Sequence, residues 1–197
     1  KLGKEQSPVD IPTKGAEKTK LSPIKTRYKA GAAEIVNNGH TIQVNLKDGG
    51  TATVPSGDFQ LLQFHFHAPS EEKIDGRNYP LVAHLVHRNA AGKLAVIAVF
   101  FKVGKENAAL KNVFSSMPAK EGSAPLAGDF DATKVLPAAM GYYAFRGSLT
   151  TPPCSEDVAW QVLKQPVEVS AAQVASFTKL YKMNARPVQP LNGRKIQ

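Results

Sequence analysis

The chain has 197 residues, 42% of them hydrophobic, which suits one globular domain with a substantial buried core. No apolar run approaches the roughly 18 residues of a membrane span. A net charge of +9 suggests nucleic acid binding as one hypothesis. However, the basic residues are spread along the chain without interleaved aromatics, and this distribution favours a solvated basic surface. The single cysteine, Cys154, supports neither a disulfide framework nor a cysteine-rich metal site.

Turn residues and apolar runs predict a sheet-dominated chain with few helices. The predicted strands lie, in chain order, at 40–46, 61–67, 81–87, 94–103 and 158–162. Helices are predicted over 106–117 and from Ser170 to about residue 181, where Ser170 and Gln173 form a capping box. No internal repeat, linker or low-complexity stretch divides the sequence, so residues 1–197 are expected to form a single domain.

Histidines on the second and third predicted strands are the main candidates for chemistry. Side chains alternate faces along a strand, so Gln63, His65 and His67 share one face. If the third strand pairs with the second, His84 joins them, and three neutral imidazoles hold Zn²⁺ with its fourth position open to water. His87 has the opposite parity to His84 and is left out of this site. The alternative interpretation is a set of core histidines, each satisfied by hydrogen bonds.

Four further phrases accompany the motifs QFHFHAPSE and AHLVH: QSPVDI at 6–11, NNGHTIQV at 37–44, GSLTTPPCSE at 147–156 and NARPVQPLNGR at 184–194. As an ordered set they closely resemble the alpha class of carbonic anhydrases, in its bacterial, exported form. The resemblance spans residues 6–194. It implies a mainly β fold with a few short helices, in which a single domain is built around a large, mostly antiparallel twisted sheet.

The resemblance also implies an activity, the zinc-dependent reversible hydration of CO2 to bicarbonate and a proton. Zinc-bound hydroxide attacks CO2 and a histidine shuttles the proton, and esterase activity is a conceivable side reaction. One alternative is a non-catalytic, carbonic-anhydrase-like binding module, which loss of a zinc histidine would favour. Another is a periplasmic metal-binding protein, which would need softer or more numerous ligands than three histidines.

By this resemblance, zinc is bound by His65, His67 and His84, and three other residues act in catalysis. Thr150 donates its hydroxyl proton to Glu71, because a hydroxyl whose one donor faces a carboxylate only accepts on its other side. His40 is the proton shuttle, since histidine as a residue type, with an ordinary side-chain pKa near 6.5, accepts the released proton almost isoenergetically. The residues expected at the substrate are Val86, Val96, Leu149, Thr151, Val158 and Trp160.

From the residues alone, plainer interpretations remain for these positions. Thr150 suits a turn, Glu71 a solvated surface acid and His40 a surface loop, while the apolar set suits an ordinary core. Strict alternation puts His40 on the side of Ile42, whereas the resemblance also places Gln43 in the cavity. Both hold only if the strand bulges or begins after His40.

Hydrogen bonds to the metal ligands fix their tautomers and tune the metal. The resemblance assigns this role to Gln63 and to the backbone carbonyl of Asn184. Much of the family has a glutamate two residues before His84, where this chain has Val82, so another acceptor or a water must orient His84. Glu72 stands where a histidine often follows in the family, and no role is assigned to it.

Family members carry a further N-terminal segment with a cysteine that bridges to the one in TTPPC. Counting back from Gln6 puts that partner immediately before Lys1, so the N-terminal family segment is expected to be missing here. We expect the intact gene product to pair Cys154 with it and to be periplasmic or secreted. The expected small-molecule partners are CO2, bicarbonate, and sulfonamide and anion inhibitors. No nucleic acid partner is expected, and a homodimer is left open.

Overall fold

A computed structural model describes residues 3–197 of the chain. The strands are β1 Asp10–Ile11, β2 Lys25–Tyr28, β3 Ala33–Asn37, β4 Ile42–Leu46, β5 Gly50–Val54, β6 Gly57–His67, β7 Lys73–Ile74, β8 Leu81–Arg88, β9 Leu94–Val103, β10 Gly122–Pro125, β11 Tyr142–Gly147, β12 Val158–Leu163 and β13 Val167–Val169. The helices are α1 Lys111–Ser115 and α2 Ala171–Leu180, with short 3-10 turns at Thr13–Gly15 and Ala132–Val135. Within the described residues, neither helix has the length and apolar character that a membrane span requires.

An 11-stranded sheet organises the described part of the chain. Its main path runs β10-β3-β4-β6-β8-β9-β12-β11. Off this path, β5 pairs with both β6 and β2, and β13 pairs with β9. All neighbours on this sheet are antiparallel except the pairs that β9 makes with β12 and β13. A separate two-stranded parallel sheet joins β1 to β7. The predicted fold class, a mainly β protein around one large and mostly antiparallel sheet, is confirmed.

The central strand β9 shows why the sequence forms such a sheet. Its run from Ala95 to Phe101 is almost fully buried, as expected for a strand covered on both faces. Alternate residues enter two different cores: Ile97 packs in the larger one, and Val96 packs in the smaller one. The smaller core lies on the side of the sheet that carries the histidines. The apolar side chains packed in this core therefore also surround the histidine cluster.

One of the two predicted helices is much shorter in the structure. The second is confirmed, with the capping box between Ser170 and Gln173 that the sequence predicts. The first covers only Lys111–Ser115 and not 106–117. Asn107 accounts for the difference, because its backbone N–H donates to the Gln173 side chain and its own side chain bonds Glu168 O and Leu110 N. These bonds hold the segment before α1 in a turn.

Candidate metal centre

The pairing of β6 with β8 brings the three predicted histidines together. His65 lies directly opposite His84 in the antiparallel register, and His67 follows two residues later on the same face. One ring nitrogen from each lies within 4.8 Å of the other two. Phe64 and Phe66 point to the opposite side and are fully buried in the larger core. The alternation that the sequence predicts for this strand therefore holds at the site.

Hydrogen bonds leave one nitrogen free on each ring of β6. The Nδ1 of His65 lies 2.8 Å from Oε1 of Gln63, and the Nδ1 of His67 lies 3.0 Å from the backbone oxygen of Asn184. Both oxygens are acceptors, so each Nδ1 carries the proton and donates. The lone pair of each ring then lies on Nε2. Gln63 and the backbone carbonyl of Asn184 thus make the contacts that the family resemblance implies for them.

The third histidine is held by Glu72, a residue for which neither the local pattern nor the family resemblance predicts a role. Nε2 of His84 lies 2.6 Å and 2.9 Å from the two carboxylate oxygens of Glu72, which is completely buried. The ionised form of this carboxylate only accepts, so with Glu72 ionised Nε2 donates and Nδ1 keeps the lone pair. Burial raises the pKa of Glu72 to about 8. The acceptor that Val82 does not provide therefore comes from a different segment of the chain.

Two buried atoms at the centre have no hydrogen-bond partner within residues 3–197. They are Nε2 of His67 and Oε1 of Glu71, which lie 3.2 Å apart. Buried polar atoms in native proteins are nearly always satisfied, so an orphaned imidazole lone pair here indicates a ligand-binding position. Three imidazoles whose lone pairs converge, and whose N–H groups each donate to a fixed acceptor, form the ligand set of a catalytic zinc site. The residues present therefore fit a zinc ion.

The electrostatics of the cluster keep its rings neutral. Burial lowers the pKa of His67 and of His84 to about 4 each, although the neighbouring Glu71 carboxylate opposes the shift. Burial and the two neighbouring histidines lower the pKa of His65 well below its ordinary value of 6.5. Neutral imidazole is the form that binds metals, so the rings are ready to bind at neutral pH without first releasing protons.

Glu71 lies beside the histidines, and the structure does not join it to Thr150. Its Oε2 accepts a 2.7 Å hydrogen bond from the backbone N–H of Arg186, while its Oε1 approaches His67 and, at 3.8 Å, Nδ1 of His84. Thr150 lines the cavity, but within residues 3–197 its hydroxyl makes no hydrogen bond to this carboxylate. The predicted Thr150–Glu71 contact is thus absent from this structure, because the free carboxylate oxygen faces the ring nitrogens.

The turn before β4 determines how both His40 and Gln43 can face the same cavity. Oδ1 of Asn38 accepts hydrogen bonds of 2.9 Å from the backbone N–H groups of both His40 and Thr41. This turn, with Gly39 at φ +84°, delays the strand, which begins at Ile42. The strand therefore starts after His40, and both His40 and Gln43 line the cavity.

The cavity beside the histidines has a volume of about 890 Å³. Five of the six residues predicted at the substrate line it: Val86, Val96, Leu149, Thr151 and Trp160. The sixth, Val158, is 1% exposed and packs in the smaller core without reaching the cavity wall. Its neighbour in register on β9, Leu94, lines the cavity instead. Cys154 is partly buried, and its thiol is free within the described residues.

An irregularity in β6 adds a wall residue that alternation hides. The register with β8 shifts between Leu61 and Gln63, so strict alternation fails for one residue. Leu61 is fully buried in the larger core, while Leu62 and Gln63 both line the cavity. A bulge of this kind next to a site re-aims a side chain. No signal in the local sequence marks it.

Comparisons with known proteins agree with this architecture. A family model described as eukaryotic-type carbonic anhydrase matches residues 2–197. Carbonic anhydrases of Pectobacterium carotovorum and Klebsiella pneumoniae are 44% and 46% identical to this chain, each alignment covering 98% of it and 80% of the relative. The alpha-carbonic anhydrase of Thermovibrio ammonificans, solved in complex with the inhibitor sulfanilamide, superimposes with a TM-score of 0.96 at 48% identity, covering 98% of this chain and 87% of that one.

The sheet and the three-histidine cluster together define a mainly β protein with a candidate metal centre at its sheet face. The chain belongs to the eukaryotic-type, or alpha-class, carbonic anhydrase family, and it is an enzyme of that kind.

Proposed function

We propose that this protein catalyses the reversible hydration of CO2 to bicarbonate and a proton, with zinc held by His65, His67 and His84. The observation that carries the proposal is the convergence of three neutral imidazoles, each with its other nitrogen fixed by an acceptor, at a cavity with an apolar wall. When bound, zinc supplies a Lewis acid that lowers the pKa of water to about 7, a magnitude for which carbonic anhydrase is itself the standard example.

The apolar wall supports CO2 as the substrate. Val86, Val96 and Leu149 offer only carbon atoms to the cavity, and Trp160 packs edge-on against His84 with ring centroids 4.9 Å apart. The indole N–H of Trp160 is already used, because it donates to the backbone oxygen of Ser148 at 3.0 Å. The wall therefore offers few hydrogen-bonding groups to water, and it suits a small uncharged molecule next to the metal ligands.

We propose that Thr150 and Glu71 orient the reacting oxygen. Oε1 of Glu71 has an open accepting position, and the carboxylate is anchored through Oε2 by the Arg186 N–H. If Thr150 donates its proton to Oε1, its oxygen can only accept from a group at the metal, and it turns away ligands that cannot donate. A Thr150→Val variant keeps the shape and removes the hydroxyl. It is expected to lose turnover while retaining zinc.

We propose that His40 carries the released proton from the cavity to solvent. Moving a proton from a group of pKa 7 directly to bulk water costs roughly 9.5 kcal/mol at about 1.36 kcal/mol per pKa unit. That cost alone caps turnover below about 10⁶ per second. His40 is exposed, lines the cavity and is held by the Asn38 turn, so it can accept the proton inside and pass it to buffer outside.

The remaining proposals concern inhibitors and location. We propose that sulfonamides and simple anions inhibit this enzyme, as sulfanilamide is an inhibitor of the Thermovibrio ammonificans relative. We also propose export to the periplasm or beyond, with Cys154 bonded to a cysteine upstream of the present sequence. Thiol titration and intact mass of the full-length secreted protein test this bond. A free thiol with no loss of two hydrogens would exclude it.

The function is tested by stopped-flow CO2 hydration with the zinc-loaded protein. We expect rapid turnover that disappears on zinc removal and returns on zinc addition, and inhibition by a sulfonamide. His40→Ala is expected to slow turnover in weak buffer with unchanged zinc content, and concentrated imidazole is expected to restore part of the rate. Zinc-loaded protein with no activity above the uncatalysed rate would overturn the proposal, and an unchanged His40→Ala rate in weak buffer would remove His40 from it.

A further inference from the structure

The residue two positions before His84 on β8 cannot orient the ring of this candidate metal ligand. Residues two apart on a strand share a face, so Val82 lies beside His84, where a polar side chain would reach the ring. Valine has no acceptor. His84 is 1% exposed and packs against Trp160, so its Nε2–H is screened from solvent. An acceptor for this group must come from elsewhere in the fold.

Glu72 reaches the ring from the segment between β6 and β7. Both of its carboxylate oxygens lie within 2.9 Å of His84 Nε2, and within residues 3–197 this imidazole is the only side-chain partner of the carboxylate. A buried carboxylate that contacts no lysine or arginine has no structural ion pair to explain it. Its position is explained by the imidazole that it holds.

The backbone around Glu72 is braced on both sides. The hydroxyl of Ser70 donates to the backbone oxygen of Glu72 at 2.7 Å and accepts from the N–H of Tyr79 at 3.0 Å. The N–H of Ser70 donates to the oxygen of Tyr79, and the amide of Asn78 donates to the oxygen of Ser70. These bonds fix the short segment that carries the carboxylate, so the acceptor is held in place before any metal arrives.

We propose that Glu72 is the positioning residue for His84 in the metal site, in place of an acceptor at position 82. It accepts the Nε2–H of His84, fixes the tautomer that leaves the Nδ1 lone pair for the metal, and prevents rotation of the ring. The inference rests on the proposed zinc site. In this protein, retention of the metal depends on the 70–79 segment as well as on β6 and β8.

The test compares zinc-loaded Glu72→Leu and Glu72→Gln with the unsubstituted protein. Leucine removes the acceptor and keeps the apolar volume, whereas glutamine keeps an acceptor and loses the charge. Loss of such an outer hydrogen bond typically lowers metal affinity 10- to 100-fold. Competition with a chelator is expected to show a loss of zinc affinity in this range for Glu72→Leu and a smaller loss for Glu72→Gln. Gln161→Leu, a buried polar residue on β12, is the matched control and should bind zinc normally.

A second measurement separates positioning from general destabilisation. In ¹⁵N-labelled zinc-loaded protein, a downfield Nε2–H signal from His84 is expected. This signal should move in Glu72→Gln, vanish in Glu72→Leu and stay in place in Gln161→Leu. Zinc affinity of Glu72→Leu equal to that of the unsubstituted protein would overturn the proposal. If Glu72→Leu does not fold, unchanged affinity and an unmoved signal in Glu72→Gln would overturn it as well. Failure of the unsubstituted protein to bind zinc would instead refute the proposed function.

Discussion

Asn184 offers a sharp test of how the site is held together. Its side-chain oxygen accepts from the N–H of Ala68 at 2.8 Å, and its amide nitrogen donates to the backbone oxygens of Phe66 and His40 at 3.1 Å each. One amide therefore ties the end of β6 to the turn that presents His40, the proposed proton shuttle. Separately, its backbone oxygen accepts from His67. An Asn184→Ala variant removes the first three bonds and leaves the fourth.

The expected cost follows from these contacts. A hydrogen bond contributes about 1 kcal/mol net, and water replaces the bond at the exposed His40 carbonyl more readily than the two at β6. Asn184→Ala is therefore expected to lower the free energy of unfolding by about 2–3 kcal/mol. Asn184→Asp should cost more, because its second oxygen would face the carbonyls of Phe66 and His40. Asn112→Ala, which removes one exposed bond to the backbone of Ala127, is the control and should cost less than about 1 kcal/mol.

The assays are chemical denaturation of the zinc-loaded proteins and CO2 hydration in weak buffer. Zinc content should stay at the unsubstituted level in Asn184→Ala, since the acceptor for His67 is part of the backbone. Turnover in weak buffer should fall, because the His40 turn loses its tether. A change in unfolding free energy below about 0.5 kcal/mol, or Asn184→Asp as stable as the unsubstituted protein, would refute the reasoning.

Two further predictions concern hydrogen bonds made by histidine side chains. Nε2 of His87 accepts from the Tyr28 hydroxyl at 2.6 Å and burial lowers the pKa of His87 to about 4, below the unfolded value near 6.5. The stability that His87 contributes is thus complete above pH 6.5 and is lost as the pH falls toward 4. The difference in unfolding free energy between the unsubstituted protein and His87→Gln should shrink by about 3 kcal/mol over this window, and a constant difference would contradict the assignment. Gln63→Ala removes the acceptor for His65 and should weaken zinc binding about 10-fold in chelator competition, whereas unchanged affinity would show that this bond is dispensable.

Local sequence rules predict the part of the site that lies on regular strands. Alternation puts His65 and His67 on one face, and antiparallel pairing brings in His84. The rule gives the face of a residue and not its distance from the cavity, which is why Val158 lies on the expected strand yet in the core. Glu72 escapes prediction for a different reason. It lies between strands, where no periodicity applies, and its approach to His84 depends on the tertiary path of the segment.

Other departures come from side chains that bond to the backbone. Asn38 delays the start of β4 and so brings both His40 and Gln43 to the cavity. Asn107, held by residues of a distant segment, shortens the helix expected at 106–117. In both places the apolar pattern is right and a polar side chain sets the boundary of the element.

The central claim is that His65, His67 and His84 hold one zinc ion, and zinc content measured by elemental analysis tests it most directly. The unsubstituted protein should contain one zinc per chain after dialysis against buffer. His84→Ala should retain only a small fraction of this zinc. His87→Gln, a change on the same strand with the opposite parity, should retain it all. Near-stoichiometric zinc in His84→Ala, or no zinc in the unsubstituted protein after zinc loading, would contradict the account.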